Sequence, residues 1–331
     1  ETRYKKGWLQ AQLDLHAEYD FALLHRADEY DTATKRMFQT LRDPLLNGAP
    51  LQVREAFVAA SLGDFEVTLG RQIVAWGEGD GFSPLDVVNP RDNREPGLAD
   101  LDDIRVPVLA ARLGWFKGAN RLEAMVTLES HWGFRNPPLG PFSPFPTLIE
   151  QNPAAKSLDV VDKMRSDDVD FSDTPAMFSP DGFQYLLRWV RKGAGLDFGL
   201  YLASVVDRQG VIEGFSQQDQ IALISKALND TEDEIRIEMS HLRYSLVGTS
   251  GAATFGSFLV KWELALERGH PYNVGTFSTV QTVRCDQLDT MIGITFSGIS
   301  NTMIGLEASK VTLLQSDVPL LFPINEPFIA L

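Results

Sequence analysis

The chain has 331 residues, 44% of them aliphatic or aromatic, with one cysteine and a formal charge of −15 at pH 7. That acidic balance excludes nucleic acid as a partner, because affinity for a phosphate backbone comes from clustered Lys and Arg. Cys285 alone excludes a disulfide framework or a thiolate metal centre, and the absence of any run of about eighteen apolar residues excludes a helical membrane protein, though not a β-barrel.

From residue 9 to 21, Leu9, Ala11, Leu13, Leu15, Ala17, Tyr19 and Phe21 fall on one parity, and Gln10, Gln12, Asp14, His16, Glu18 and Asp20 on the other. Only a pleated strand sends successive side chains to opposite faces. The segment exceeds the five or six residues usual in soluble sheets and suits a tilted crossing of a bilayer. The same alternation predicts strands over 51–61 and 65–75 about Gly63-Asp64, and over 106–116 and 121–132 about residues 117–120. It continues over 183–190 and 196–206 about residues 193–195, over 235–247 and 254–267 about the glycines of 248–251, and over 287–298 and 302–311 about Ser300-Asn301. Gly, Asn and Asp supply the positive φ that tight hairpins need.

Long connections (23–50, 76–105, 133–182, 207–234 and 268–284) alternate with these short turns. The pattern predicts an all-β chain: one antiparallel transmembrane β-barrel over residues 1–331, of the porin-like outer-membrane type. Its short turns would be periplasmic and its long loops extracellular or folded inward. Aromatics sort to the two rims, Phe65, Trp115, Phe116, Phe255 and Phe296 by the short turns and Trp76, Trp132, Phe183 and Tyr185 by the long loops, as interfacial girdles would. The alternation by itself also suits a large soluble β-structure with a solvated polar face.

In the barrel reading the polar parity lines the lumen: Asp14, His16, Glu18, Arg54, Arg112, Glu123, Glu129, His131, Arg188, Lys261 and Glu263. The connection 76–105, stiffened by Pro84, Pro90 and Pro96, carries Trp76, Glu78, Asp80, Asn89, Arg91, Asp92, Arg94 and Arg105. It reads either as a constriction laced to lumen charges or as a solvated surface loop. Ser216 to Asp230 has apolar residues near helical spacing and predicts a short amphipathic helix.

Eleven predicted strands would leave the chain end on the long-loop side, and the tail 316–331, with Pro319, Pro323 and Pro327, reads as a loop. Either further C-terminal strands are therefore expected beyond it or loops have been left out of this numbering, and the absence of a basic, apolar leader at Glu1 implies that any signal peptide has been removed. His16, His131 and His241 have no nucleophile motif such as Gly-x-Ser-x-Gly beside them, so no catalytic residues are assigned. The acidic runs 100–103 and 230–234 lack the spacing of a calcium loop, so no metal or other cofactor is expected; they suit solvated charge or divalent bridging to lipopolysaccharide.

Three segments carry a resemblance: Arg54-Glu55-Ala56-Phe57, then Leu69-Gly70-Arg71-Gln72-Ile73-Val74-Ala75-Trp76-Gly77-Glu78, then Asp86-Val87-Val88-Asn89-Pro90-Arg91-Asp92. Together with Arg284-Cys285-Asp286-Gln287-Leu288 and the Pro- and Phe-rich stretch 136–146, the chain resembles the proteobacterial outer-membrane β-barrel family catalogued as domain of unknown function 1302. That resemblance implies location in the outer membrane of a Gram-negative bacterium, among outer-membrane lipids and lipopolysaccharide. It also implies association with an RND-type exporter and a periplasmic lipid carrier. The resulting functional expectation is passive transport, as a channel or acceptor for a hydrophobic or amphipathic, lipid-like solute. The alternatives are an anchor that holds partner proteins in the membrane and, third, a lumenal lipid hydrolase.

Overall fold

The computed structural model describes residues 2–17, 51–93, 104–135, 139, 143, 145–164, 169–172, 178–213, 217–229, 235–276, 279–315, 320–321 and 328–330. Its strands are β1 Thr2–Lys6, β2 Leu9–Ala17, β3 Leu51–Leu62, β4 Phe65–Gln72, β5 Val108–Lys117, β6 Asn120–Thr127, β7 Val169–Ser172 and β8 Gln184–Lys192. They continue as β9 Leu196–Val206, β10 Val211–Ile212, β11 Ile235–Ser240, β12 Arg243–Phe255, β13 Phe258–Val274, β14 Gln281–Ile299, β15 Thr302–Leu313 and β16 Phe328–Ala330. Thirteen of these form one sheet in the order β1-β2-β3-β4-β5-β6-β8-β9-β12-β13-β14-β15-β16. Every pairing in it is antiparallel between sheet neighbours, and among the described residues β1 and β16 are its two edges.

The alternation read from sequence sorts the side chains of this sheet, with the usual sense of burial reversed. On one face Leu13, Val58, Leu69, Leu113, Leu122, Leu187, Leu202, Val247, Leu264, Ile292 and Leu306 are exposed. On the other, Thr68, Glu123, Thr127, Gln184, Ser250, Lys261, Glu263, Glu267, Gln287, Asp289 and Glu307 are buried.

Several boundaries differ from the sequence expectation. The sheet has two strands more than the eleven expected, because Thr2–Lys6 folds back on β2 and Phe328–Ala330, inside the tail read as loop, pairs with β15. Residues 248–251 are not a turn: β12 runs straight through them and the chain reverses at Gly256-Ser257. These glycines are there for close approach instead. A Cβ on Gly248 would lie 2.2 Å from Leu85 Cδ2, and one on Gly251 would lie 2.0 Å from the Trp262 ring. Ile235–Ser240, expected to open that strand, lies in a separate sheet. The connection expected over 268–284 shrinks to residues 275–280, since β13 and β14 pair as far as Val274 and Gln281 beyond a bulge between Glu267 and His270.

The long connections fold as well. Helices α1 Phe145–Glu150, α2 Pro153–Ser157 and α3 Val160–Lys163 come from the 133–182 connection, and α4 Gln217–Asn229 is the predicted amphipathic helix. They cover a three-stranded sheet ordered β10-β11-β7, and together bury Phe145, Leu148, Ile149, Val160, Val169, Ile212, Leu223 and Ile237. Asn152 caps α2, accepting from Ala154 N and Ala155 N ahead of Pro153 at the first helical turn. Asn273 at the end of β13 brackets Ile212, accepting from its N at 2.7 Å and donating to its O at 2.9 Å, and so fastens this unit to the long-loop end of the large sheet. No helix among the described residues is long and apolar enough to cross a membrane.

Candidate functional site

The polar face of the large sheet is where charges, buried apolar residues and one inward loop meet. β4 ends at Gln72, and the chain then leaves the sheet edge-on and crosses its polar face instead of turning to β5. Asn89 ties the two stems of this excursion: it accepts from Val74 N at 2.7 Å and donates to Gln72 O at 3.2 Å and Val106 O at 2.9 Å. Asp86 takes Arg105 Nε at 2.9 Å and Arg91 Nη2 at 3.2 Å. Arg91 also pairs with Arg105 as an antiparallel bridge, and Asp92 with Phe134 as a parallel one.

Between these stems the chain lays Val74, Trp76, Leu85 and Val88 onto Ala110, Met125, Leu186, Tyr201, Ala203, Tyr244, Leu246 and Ala265 of the sheet. Trp76 is 1% exposed and its ring centroid is 5.4 Å from that of Tyr201, so it is not a rim aromatic as its position suggested; its indole packs within the sheet's inner face. Burying each such large apolar side chain contributes on the order of 1.5–3 kcal/mol, which makes this contact, rather than the loop's own turns, the main hold on the excursion.

The loop tip is held by two carboxylates. Glu263 Oε1 accepts from Gly79 N at 2.7 Å and Oε2 from Leu85 N at 3.1 Å and Ser83 Oγ at 2.8 Å, with Glu78 N a further donor. Glu307 accepts from Asp80 N at 2.9 Å, Gly81 N at 3.0 Å and Phe82 N at 3.1 Å. A carboxylate accepts and never donates when ionised, so consecutive backbone N–H groups satisfy it well. Gly77 makes the approach feasible: at φ 88° it is in the left-handed region, and a Cβ there would lie 2.1 Å from Ser83 Oγ and 2.6 Å from Glu263 Oε1. Lys261 Nζ pairs with Asp80. Burial pushes the Glu78 carboxyl above its usual range, against the opposing pull of Lys192, Lys261 and Arg188.

A second charge cluster lies beside the loop on β5, β6 and β8. Glu123, fully buried, meets Arg121 Nη2 at 2.6 Å, Arg188 Nε at 2.9 Å and Arg112 Nε at 3.9 Å. Arg188 donates to Ala75 O at 3.4 Å and lies over the Trp76 ring at 5.6 Å, which joins this cluster to the base of the loop.

Of the remaining residues expected in the lumen, Asp14 and His16 sit half-buried on β2, on the parity opposite exposed Leu13 and Leu15. Arg54 is the bulged residue of β3, since Asp14 pairs with Glu55 and Leu15 with Val53. Glu129 is ion-paired to Arg71 at 3.1 Å, and His131 accepts from Gly133 N and packs edge-on to Phe134. Glu18, Arg94 and the acidic runs 100–103 and 230–234 lie outside the described residues. Sequence reasoning missed Glu307, Ser83 and Arg121 as partners. Alternation on β15 places Glu307 on the inner face, but nothing local to it announces the loop that it holds.

The sequence profile of the family described as "Protein of unknown function (DUF1302)" matches residues 1–314. No curated protein matches the chain. Among solved structures it is similar to OmpTdeltaL8, a loop L8 deletion mutant of OmpT, an outer membrane protein of Vibrio cholerae, with a TM-score of 0.41 and 11% identity. That match covers 81% of this chain and 66% of the other. Outer-membrane expressed OmpT of Vibrio cholerae gives a TM-score of 0.39 at 8% identity, covering 94% of this chain and 69% of that one. The in-vitro folded form gives 0.33 at 9%, covering 92% and 67%.

Proposed function

The chain belongs to the DUF1302 family, and from that premise we propose that its sheet closes into an outer-membrane β-barrel that acts as a passive conduit or acceptor for a hydrophobic or amphipathic, lipid-like solute. The observation that carries this reading is the reversed burial of the sheet. Soluble monomers rarely expose contiguous apolar patches beyond about 300–600 Å², yet here Leu69, Leu113, Leu187, Leu202, Val247, Leu264 and Ile292 lie open across successive strands while Glu123, Lys261, Glu263 and Asp289 are buried behind them. Hydrocarbon outside and a polar interior suit such a sheet, because lipid cannot satisfy charged groups and a lumen can.

The loop between β4 and β5 is the constriction in this reading, with Trp76, Leu85 and Val88 filling the interior and the Glu263 and Glu307 contacts keeping them there. The same filling supports a second reading, in which the barrel is plugged and serves as a membrane anchor for partners. A periplasmic lipid carrier or an RND-type exporter would then dock on the rim of short turns. Reconstitution into planar bilayers separates the two: the conduit predicts stepwise currents from the folded protein, and silent but fully inserted protein would leave the anchor.

A further inference from the structure

The inner face of β5, β6 and β8 carries more positive charge than its own carboxylates neutralise. Three guanidinium groups converge on Glu123 at 2.6, 2.9 and 3.9 Å. Among the described residues the other carboxylate in an ion pair with them is Glu66, 3.8 Å from Arg112 Nη2. Three positive charges therefore meet two negative ones at ion-pair distance, with Glu78 acting on Arg188 from farther off, and Glu123, buried at 0% exposure, is closed to solvent while its partners are not: Arg112 is 20% exposed, Arg121 35% and Arg188 13%. The cations are held in place by more than charge. Arg121 lies over the Phe116 ring at 4.8 Å, Arg188 over Trp76, and Arg112 Nη2 donates to Thr68 Oγ1 at 3.5 Å. Each guanidinium has five N–H donors in a planar fork, and one shared carboxylate engages only a minority of the fifteen or so that three groups offer.

We propose that Arg112, Arg121 and Arg188 form a binding site for an oxyanion, the carboxylate or phosphate head of a solute that enters the inner face of the sheet. The inference rests on reading that face as a lumen. The buried carboxylate acts as the site's fixed counter-ion: it holds the forks together against their mutual repulsion and leaves their outer N–H groups for a second anion. Planar forks match the two oxygens of a carboxylate or phosphate bidentately, and a low-dielectric wall behind them strengthens the attraction.

Equilibrium binding to the folded protein in a zwitterionic detergent tests this without any requirement for conductance, so its failure is separate from failure of the conduit. The probes are benzoate and phenyl phosphate, and the tighter of the two identifies the head group. Saturable binding is expected, reduced about tenfold or more in Arg112→Gln/Arg121→Gln, since each guanidinium removed deletes charge-assisted hydrogen bonds. Glu123→Gln, which removes the counter-ion but no donor to the ligand, is expected to tighten binding, a direction that simple damage to the fold would not produce. Should that variant not fold, the arginine pair still decides. No saturable binding of either probe, or equal binding by the arginine variant with an intact sheet signal, would overturn the proposal.

Discussion

Leu85 Cδ2 occupies the place that a side chain at position 248 would take, 2.2 Å from where a Cβ on Gly248 would stand. Leu85 is fully buried, although it belongs to a loop, and Gly248 lies mid-strand on β12. The glycine thus makes room for the loop and also for Leu264 O of the neighbouring strand, 2.9 Å from the same Cβ position, while weakening its own strand by its lack of a side chain. Gly248→Ala should push Leu85 off the sheet and make residues 77–85 cleavable by protease while the sheet's circular dichroism is unchanged. Adding Leu85→Ala should cost less in the Gly248→Ala background than alone, because the two share one space; strictly additive effects would refute the contact.

Glu263→Gln should loosen the same loop. The amide keeps one acceptor oxygen and turns the other into a donor facing Leu85 N, which can only donate, while the Ser83 hydroxyl would have to reverse its role to accept from it. Faster proteolysis of the loop and larger or noisier single-channel currents are expected. Glu307→Gln should act in the same direction through Asp80, Gly81 and Phe82. Currents and cleavage unchanged in both variants would mean that the apolar contacts hold the loop without them.

How much of this was legible in the sequence follows from the range of each interaction. Strand parity depends on neighbours two residues apart, so on β6 and β13 the split between exposed Leu122 and Leu264 and buried Glu123 and Lys261 was legible from the alternation alone, whereas the bulge at Arg54 and the ends of the strands expected over 65–75 and 121–132 were not. Glu263 was readable as an inner-face residue for the same reason. Its partners Glu78, Ser83 and Leu85 were not, since they stand 178 to 185 positions away, and Glu78 and Leu85 donate through backbone N–H groups that have no side-chain signature. The misplaced turn at 248–251 has the same origin: glycine marks both a reversal and a close approach, and only the position of Leu85 and Trp262 tells the two apart.

The raised Glu78 carboxyl gives the loop a pH dependence with a definite sign. Burial is its main cause, and the docked loop therefore binds a proton more tightly than the free one does. Docking is then strongest below the ordinary value of 4.5 and weakens as pH rises from there through the raised value. Glu78→Gln should remove that slope and make the loop harder to cleave at neutral pH. A proteolysis rate that falls from pH 5 to pH 8 in the parent protein would contradict the sign.

Leu264→Arg places a charge on the exposed apolar face of β13, where Leu264 is 42% exposed beside buried Glu263. If that face meets hydrocarbon, the substitution should destabilise the folded protein in lipid vesicles by about 2–4 kcal/mol at mid-membrane depth, but should be nearly neutral in a water-facing sheet. Folding equilibria in vesicles, read by urea titration, measure the difference. A change of under about 0.5 kcal/mol, the ordinary size for a surface substitution, would place the face in water.

Deletion of residues 79–103 bears on the proposed constriction. It removes Leu85 and Val88 from the inner core and both stems' ties at Asp86 and Asn89, yet no strand of the large sheet, whose β4 ends at Gln72 and whose β5 begins at Val108. Glu307 would lose its donors Asp80, Gly81 and Phe82, and Glu263 would keep only Glu78 N of its loop donors. Both carboxylates would need water, because an unpaired buried carboxylate costs several kcal/mol. The interior should therefore hydrate, and conductance should rise with a shift toward cations on the β13–β15 side. A folded deletion variant whose current and selectivity match the parent would mean that the solute path does not run past this loop, and it would favour the anchor.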